Sequence, residues 1–220
     1  MRIDILTLFP NMYEGFLSES IIKRAIQKEI VKINIVDIRN FTPYKNNQVD
    51  DYAFGGGAGM IMMCEPVFNA LNSVKDDESY VILLSPRGNT YNQKNACNLS
   101  NKKHIIIICG HYEGFDERIY SFADEVISIG DFILTGGELP SMLITDSVVR
   151  LLKGTINEES LEYESFNDDL LDYPVYTKPR VFNGMEVPEV LLSGNHKLID
   201  EYRDSERKRI TQKYRKDLIK

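Results

Sequence analysis

The segment SIGDFILTGGELP, residues 128–140, combines glycines with apolar side chains and contains no lysine or arginine. Glycine lets a backbone approach a ligand closely and present its N–H and C=O groups. The apolar side chains suited to enclosing a flat aromatic ring are Ile129, Phe132, Ile133 and Leu134. Carboxylates at Asp131 and at Glu113 would repel phosphate but tolerate an amine or a sulfonium. S-adenosyl-L-methionine is therefore a candidate ligand.

Neither of the two common phosphate-binding patterns occurs in the chain. The sequence has no GxxxxGKS/T motif and no GxGxxG that joins a strand to a helix. The run GGGAGM, residues 55–60, lacks the last glycine of the second pattern and is by itself typical of a flexible turn. A nucleoside triphosphate or a dinucleotide is therefore poorly supported as a ligand.

Three apolar runs must position these loops. Residues 80–88, 104–114 and 125–140 each begin as an apolar strand and end in a glycine or proline loop. Nearly continuous apolar strands are typical of a parallel sheet buried on both faces, and ligands bind at the carboxyl ends of such strands. We therefore predict an α/β fold in which three loops meet at one edge of a parallel sheet. The runs RIDILTLF and VKINIVDI predict two further strands.

Two segments have helical spacing. Residues 11–30 place apolar side chains about one turn apart, with Asn11 as a candidate N-cap. Residues 139–154 form the second segment, with Pro140 near its start and Gly154 just past its end. Residues 39–66 form a connection too long for an ordinary loop, and connections of that length are usually functional or disordered.

Charge is distributed unevenly along the chain. The net charge of the 220 residues is −7, but residues 196–220 carry nine basic and five acidic side chains, a net of +4, so the first 195 carry −11. Residues 157–172 hold seven acidic side chains and no basic one, which indicates a linker. We predict a domain over 1–156, a flexible acidic linker over 157–172 and a C-terminal domain over 173–220. Within the last, residues 197–218 predict a charged helix.

Nothing in the sequence indicates export or a membrane. The N-terminus lacks the layout of a signal peptide, and the longest apolar run, around Ile105–Cys109, is only as long as a strand. The three cysteines have no paired spacing, which fits a reducing compartment. The three histidines are scattered without metal-ligand spacing. We expect a cytoplasmic protein that has no structural metal and does not bind a membrane.

A series of motifs runs in order along essentially the whole chain. They are TLFP at 7–10, VDDYAFGGGAGM at 49–60, LLSPRG at 83–88, CGHYEGFDERI at 109–119, SIGDFILTGGELP at 128–140, DSVVR at 146–150 and LLSGNH at 191–196. Together they resemble the bacterial tRNA (guanine-N1)-methyltransferases, which belong to the SPOUT class. The resemblance implies a parallel sheet with a deep trefoil knot and a small, mainly helical C-terminal domain that binds tRNA. It also implies a homodimer with composite active sites at the interface.

The resemblance implies a reaction and a set of cofactor contacts. A methyl group passes from S-adenosyl-L-methionine to N1 of guanosine 37 in tRNA, next to the anticodon, when a guanosine also occupies position 36. This modification maintains the reading frame. Mg²⁺ is expected to affect turnover without a dedicated site. The implied cofactor-binding residues are Ser85, Pro86, Gly110, Glu113, Ile129, Gly130, Asp131, Phe132, Ile133, Leu134, Gly136 and Gly137.

Methylation at N1 requires the loss of a proton, because N1 of neutral guanine carries a hydrogen. In the family, an aspartate in an Asp-Ser-Phe segment serves as the base, and an arginine that ends the helix after the knot stabilises charge at O6. The matching residues here are Glu164, in YESF, and Arg150. Glu164 keeps the carboxylate but adds one methylene, about 1.5 Å. Asp168, Asp169 and Asp172 are neighbouring alternatives for the base.

The resemblance and the basic C-terminal segment together indicate which residues contact tRNA. These residues are Asp50, Ser165, His196, Lys208 and Arg209. Two other functions stay open at this point. One is a knotted methyltransferase that acts on a different RNA nucleotide, and the other is an inactive relative that binds RNA.

Overall fold

The computed structural model describes residues 1–162 and 164–219, with Glu159 and Glu162 described by their backbone. Tyr163, which lies in the predicted linker, and Lys220, the last residue of the predicted C-terminal domain, lie outside the described residues. The chain divides into two units, Met1–Ile156 and Asn157–Lys220.

The first unit is built on a five-stranded parallel sheet. The sheet consists of β1 (Arg2–Thr7), β2 (Lys32–Asp37), β5 (Ser79–Thr90), β6 (His104–Ile108) and β7 (Glu125–Ser128), in the order β2-β1-β6-β5-β7. A separate antiparallel hairpin consists of β3 (Asp50–Tyr52) and β4 (Met60–Met62). The predicted α/β fold with a parallel sheet is confirmed.

Helices cover both faces of this sheet. They are α1 (Glu14–Ser18), α2 (Ser20–Gln27), α3 (Cys64–Val74), α4 (Gln93–Ser100) and α5 (Glu138–Val149). Two separate apolar cores result, and β6 contributes to both. Ile105 and Ile107 enter one core, whereas Ile106 and Ile108 enter the other. Because side chains alternate along a strand, burial on both faces requires the unbroken apolar run seen in the sequence.

The first helical segment begins differently from the prediction. Asn11 lies inside a short 3₁₀ turn, Pro10–Tyr13, that Phe9 precedes, so the assignment of Asn11 as the N-cap is wrong. Pro10 opens this turn, where its missing N–H is tolerated. The segment then divides into α1 and α2 at Ser20, whose φ is 51°.

The long connection between β2 and α3 contains the β3–β4 hairpin. Its strands were not predicted, because three residues each are too few to show a clear alternation. Backbone bonds attach the hairpin to the loop that follows β6. The Met62 N–H donates to the Gly114 carbonyl at 2.8 Å, and the Glu113 N–H donates to the Met60 carbonyl at 3.0 Å. The hairpin therefore supports one wall of the region at the end of β6.

The second unit, Asn157–Lys220, consists of short elements and one long helix. It contains α6 (Glu158–Glu162), a two-stranded hairpin of β8 (Val181–Phe182) and β9 (Met185–Glu186), and α7 (His196–Tyr214). Short 3₁₀ turns precede and follow α7, at Glu189–Leu192 and Lys216–Leu218. The charged helix expected over 197–218 therefore ends earlier than predicted. The Asn195 side chain caps it by accepting from the Leu198 N–H at 3.4 Å.

A buried polar network joins the amino ends of three strands in the first unit. His104 is 3% exposed, and its Nε2 lies 2.6 Å from the fully buried Asp4 carboxylate. Its Nδ1 lies 2.9 Å from Asp76 and 2.8 Å from Ser79 Oγ. Arg2 Nε contacts the same Asp4 oxygen at 2.7 Å. These contacts hold the edge of the sheet that is opposite to the carboxyl ends of the strands.

Replacing His104 with alanine should lower the free energy of unfolding by about 1–3 kcal/mol, because the buried Asp4 carboxylate would lose a hydrogen-bond partner. Urea denaturation followed by circular dichroism measures this loss. Lys103→Ala is the control, since Lys103 pairs with Glu78 at the surface, and its effect should stay below about 0.5 kcal/mol. Equal losses in the two variants would show that the His104 network does not stabilise the sheet.

Candidate active site

Residues 84–86 of β5 and the loops that follow β6 and β7 enclose a cavity of about 390 Å³. The register of β5 against β7 shifts between Leu84 and Asn89, so that the residues between them leave the regular pairing. The cavity is lined by Leu84, Ser85, Pro86, Gly110, His111, Tyr112, Glu113, Gly114, Phe115, Tyr120, Ile127, Ser128, Ile129, Gly130, Phe132, Ile133, Leu134, Thr135, Gly136, Gly137 and Pro140. Two of the three predicted loops therefore meet at the cavity, whereas the third set of residues, 84–86, belongs to β5 at its register shift.

The lining is apolar with a few hydrogen-bonding groups. Among the described residues that line the cavity, none is a lysine or an arginine. Ser85 Oγ and the Tyr120 hydroxyl lie 2.9 Å apart, and Glu113 supplies the carboxylate. Such a surface suits a flat, partly apolar ligand without phosphate, since phosphate binding commonly relies on basic side chains.

Close packing between two of the loops requires glycine. The Gly137 N–H donates to the Gly110 carbonyl at 2.8 Å. A Cβ atom at Gly137 would lie 2.7 Å from the Cys109 Cα and 2.9 Å from the Gly110 nitrogen. A Cβ at Gly110 would lie 2.8 Å from the Phe115 ring. Gly137 therefore allows the loop after β7 to touch the end of β6 directly, and Gly110 leaves room for the Phe115 ring within the loop after β6.

Buried polar groups at the start of α5 stabilise the contact between Gly137 and Gly110. Glu138, 3% exposed at the start of α5, accepts from Thr7 Oγ1 at 2.7 Å. A helix N-terminus favours such a negative charge. The Tyr13 hydroxyl lies 2.6 Å from Ser141 Oγ and 3.5 Å from Cys109 Sγ. Burial raises the pKa of Cys109 to about 12. These contacts fix the start of α5 against β1 and β6.

The structure brings eleven of the twelve residues expected to bind the cofactor into the cavity wall. Asp131 is the exception, because its side chain is exposed and does not line the cavity. His111, Tyr112, Phe115 and Tyr120 also line it, although the sequence analysis did not select them. The CGHYEGFDERI motif contains the first three, and Tyr120 directly follows it, so the whole motif indicates more of the cavity wall than Gly110 and Glu113 alone.

The two predicted catalytic residues belong to different units. Arg150 is half-buried and caps α5, and its N–H donates to the Asp146 carbonyl at 3.0 Å. Glu164 is half-buried, and its carbonyl accepts from the Asn167 N–H at 3.3 Å. Each residue keeps a side chain that is partly accessible to a substrate.

One of the alternative bases is held by a basic side chain. The Arg207 guanidinium donates to the Asp168 carboxylate and thereby lowers the pKa of that carboxyl. A carboxylate with a lowered pKa is a weaker proton acceptor, so Asp168 is less suited to remove a proton than the sequence alone suggests. Asp172 uses its N–H to donate to Ser165 Oγ at 3.0 Å.

The residues expected to contact tRNA lie on several elements. Asp50 begins β3 and is half-buried, and His196 is exposed at the first position of α7. Lys208 and Arg209 already pair within α7. Lys208 Nζ lies 2.6 Å from Asp204, and the Arg209 guanidinium makes two bonds to Glu206 at 2.8 and 2.6 Å. A phosphate would have to compete with these carboxylates.

In residues 1–162 and 164–219, no group of three or more His, Cys, Asp or Glu side chains is placed to hold a metal ion. Over the same described part of the chain, no helix is both long and apolar enough to cross a membrane.

The chain is similar to a known protein family over its whole length. The tRNA (guanine-1)-methyltransferase TrmD family matches residues 1–220. A tRNA (guanine-N(1)-)-methyltransferase of Ureaplasma urealyticum is 54% identical over 219 residues, which cover 99% of this chain and 96% of the relative. A protein of the same name from Carboxydothermus hydrogenoformans is 54% identical over 222 residues, covering 100% of this chain and 88% of the relative. Another, from Mycoplasma capricolum, is 51% identical, with coverages of 100% and 92%.

Replacing Gly137 with alanine should weaken the binding of the ligand predicted from the sequence, S-adenosyl-L-methionine, about tenfold or more, because the new Cβ forces apart the loops that form the cavity. Isothermal titration calorimetry measures the affinity. Gly15→Ala is the matched control, since a Cβ at Gly15 meets nothing within 4 Å, and its affinity should equal that of the unmodified protein. Unchanged affinity in Gly137→Ala would contradict a binding site built on this loop contact.

Proposed function

The chain belongs to the tRNA (guanine-1)-methyltransferase family, and we propose that it transfers a methyl group from S-adenosyl-L-methionine to N1 of guanosine 37 in tRNA, next to the anticodon. The proposal rests on the cavity formed by residues 84–86 of β5 and the loops after β6 and β7, in a chain that matches this family throughout. Transfer requires a guanosine at position 36 and maintains the reading frame. Such a reaction takes place in the cytoplasm, where tRNA is used.

The residues of the cavity fit the methyl donor. Ile129, Phe132, Ile133 and Leu134 provide apolar surface for the adenine ring, and the backbone around Gly110 provides hydrogen-bonding groups. The Glu113 carboxylate suits the positive charge of the sulfonium or the amine. When bound, the donor supplies an electrophilic methyl group.

Glu164 is proposed to remove the proton from N1 of guanine. This step frees the N1 lone pair for attack on the methyl carbon and leaves the proton on the carboxylate. As the N1–carbon bond forms, the carbon–sulfur bond would break with its electron pair left on sulfur, so that S-adenosyl-L-homocysteine is the leaving group. A positioned base contributes a factor of roughly 10²–10⁴ in rate. Among the neighbouring carboxylates, Asp168 is bound by Arg207, which lowers the pKa of Asp168 and makes it a weaker proton acceptor.

Arg150 is proposed to stabilise the negative charge that develops on guanine O6 as the proton leaves N1. A guanidinium stays protonated and offers several donors in a fixed plane, so it suits this role. The motif DSVVR, which ends at Arg150 and resembles the family, supports the assignment. Asp50, Ser165, His196, Lys208 and Arg209 are proposed to contact the tRNA.

We propose that the strands and loops of the first unit form the trefoil knot of the SPOUT class. Two observations support this proposal. The residues after Leu84 leave the β5–β7 ladder and rejoin it at Asn89, and the segment after β7 returns to pack Gly137 on Gly110. The first unit would hold the methyl donor and the second would bind tRNA, with residues 157–172 carrying the base.

A homodimer is proposed to complete each active site. Exposed apolar side chains in the first unit support this proposal, because monomeric surfaces rarely keep large apolar patches. Ile133, at the cavity, is 77% exposed, and Leu139 and Leu143, four residues apart on α5, are 56% and 47% exposed. A partner subunit on this surface would shield these side chains and bring its own residues to the cavity.

The methylation reaction is tested with labelled S-adenosyl-L-methionine and tRNA transcripts. A transcript with guanosines at positions 36 and 37 should accept label, whereas a matched transcript with adenosine at 37 should not. Glu164→Gln should lower kcat by a factor of roughly 10²–10⁴, since the amide cannot take the proton. Asp172→Asn is the matched control and should retain transfer. Full activity in Glu164→Gln would assign the base to a neighbouring aspartate, and no label on either transcript would contradict the proposed reaction.

The dimer is tested by sedimentation at the enzyme concentration of the activity assay. The protein should sediment with twice the mass of one chain. Leu139→Lys should shift it towards the monomer and reduce methyl transfer in parallel, because a charge would enter an apolar interface. Leu198→Lys, which alters an exposed leucine of α7, should leave the mass unchanged. A fully active monomer would rule out the composite site.

A further inference from the structure

One face of α7 contacts the segment of residues 164–173, which begins with Glu164. The contacting side chains recur every four residues and therefore line one side of the helix. They are Arg203, Arg207, Thr211 and, at the cap, Arg215. The contacts of these side chains with the segment lie within the second unit.

The central contact is an ion pair. Arg207 reaches the Asp168 carboxylate, and the Arg207 side chain is only 11% exposed. One turn later, Thr211 Oγ1 accepts from the Leu171 N–H at 2.8 Å and donates to the Arg207 carbonyl at 2.7 Å. Two residues of α7 thus bind both a side chain and the backbone of the same segment.

Aromatic contacts extend this attachment in both directions. The Arg203 guanidinium lies 4.8 Å from the centre of the Tyr173 ring, and that of Arg215 lies 5.5 Å from the centre of the Phe166 ring. Arginine over an aromatic face is attractive at these distances. The segment is therefore held near both ends as well as at Asp168.

The segment itself is a closed loop. The Phe166 N–H donates to the Leu170 carbonyl at 2.7 Å, and the Asp172 N–H donates to Ser165 Oγ at 3.0 Å. Fixing Asp168 consequently constrains residues 164 and 165, which enter the same loop. Arg207 acts on the start of the loop through this internal bonding.

We propose that Arg207 and Asp168 are positioning residues that hold the Glu164 carboxylate where it removes the guanine proton. This inference rests on the proposed function. Arg207 touches neither the base nor the methyl donor in this role, and it acts through the loop. The basic residues of α7 therefore differ in role. Lys208 and Arg209 form exposed ion pairs, whereas Arg207 binds the loop.

The Arg207 side chain is more buried than those of Lys208 and Arg209, so losing its ion pair should destabilise the structure more. Arg207 Nε is buried and has no hydrogen-bond partner within the described residues. Removing Asp168 would leave a buried guanidinium without its carboxylate, which is far more costly than losing an exposed pair. The loop would then lose its fixed position even if the helix stayed folded.

The test compares Arg207→Ala, Asp168→Ala and the double variant with the unmodified enzyme in the methyl-transfer assay. Each single variant should lower kcat about 10- to 100-fold, since a displacement of about 1 Å can cost that much. The double variant should be no slower than the slower single variant, because both residues act through one interaction. The KM for tRNA should change less than twofold.

Two further variants and two further measurements separate positioning from other effects. Lys197→Ala, which removes an exposed positive charge from the same helix, should leave kcat unchanged. Affinity for S-adenosyl-L-methionine and the far-ultraviolet circular dichroism should match the unmodified protein in every variant, which separates positioning from unfolding. Arg207→Lys should restore part of kcat, because it keeps the charge without the planar fork.

Several results would overturn the inference. An unchanged kcat in either single variant, additive losses in the double variant, or a raised KM for tRNA at constant kcat would each show that Arg207 does not position the base. These results differ from a failure of the proposed function. In that case the unmodified enzyme itself would not methylate the transcript with guanosines at positions 36 and 37.

Discussion

The direct contact between the loops after β6 and β7 is the constraint on which the candidate site depends. Gly137 donates to the Gly110 carbonyl, and a side chain at either position would collide with its neighbours. This contact closes the cavity and also sets where α5 begins. Glu138 and Thr7 then anchor that start to β1. Without the contact, the residues of β5 and of the two loops would not form a common wall.

Much of the first unit could be predicted because its signals are local. The unbroken run from Ile105 to Ile108 specifies a strand buried on both faces, and such strands pair in parallel. The cavity followed from the glycine and proline loops that end these strands. The β3–β4 hairpin could not be predicted, because its pairing depends on backbone bonds to residues 113–116. Those bonds involve no side-chain pattern.

The second unit shows a different limit of sequence interpretation. A helix rich in both charges suggests a solvated surface, and Lys208 and Arg209 conform to that expectation. Arg207, directly before them, does not, because its partner Asp168 lies thirty-nine residues earlier in the chain. The spacing of four residues that selects the buried face is visible in the sequence. What that face covers is a tertiary property, and charge composition does not reveal it.

The buried thiol behind the cavity has a practical consequence for inhibition. Cys109 stays protonated near neutral pH, since its pKa is about 12, and thiols attack electrophiles only as thiolates. Oxidation of Cys109 is slow for the same reason, because it also proceeds through the thiolate. Electrophilic inhibitors that modify cysteine would therefore not react with Cys109. Selective compounds for this cavity must rely on its shape and on reversible contacts.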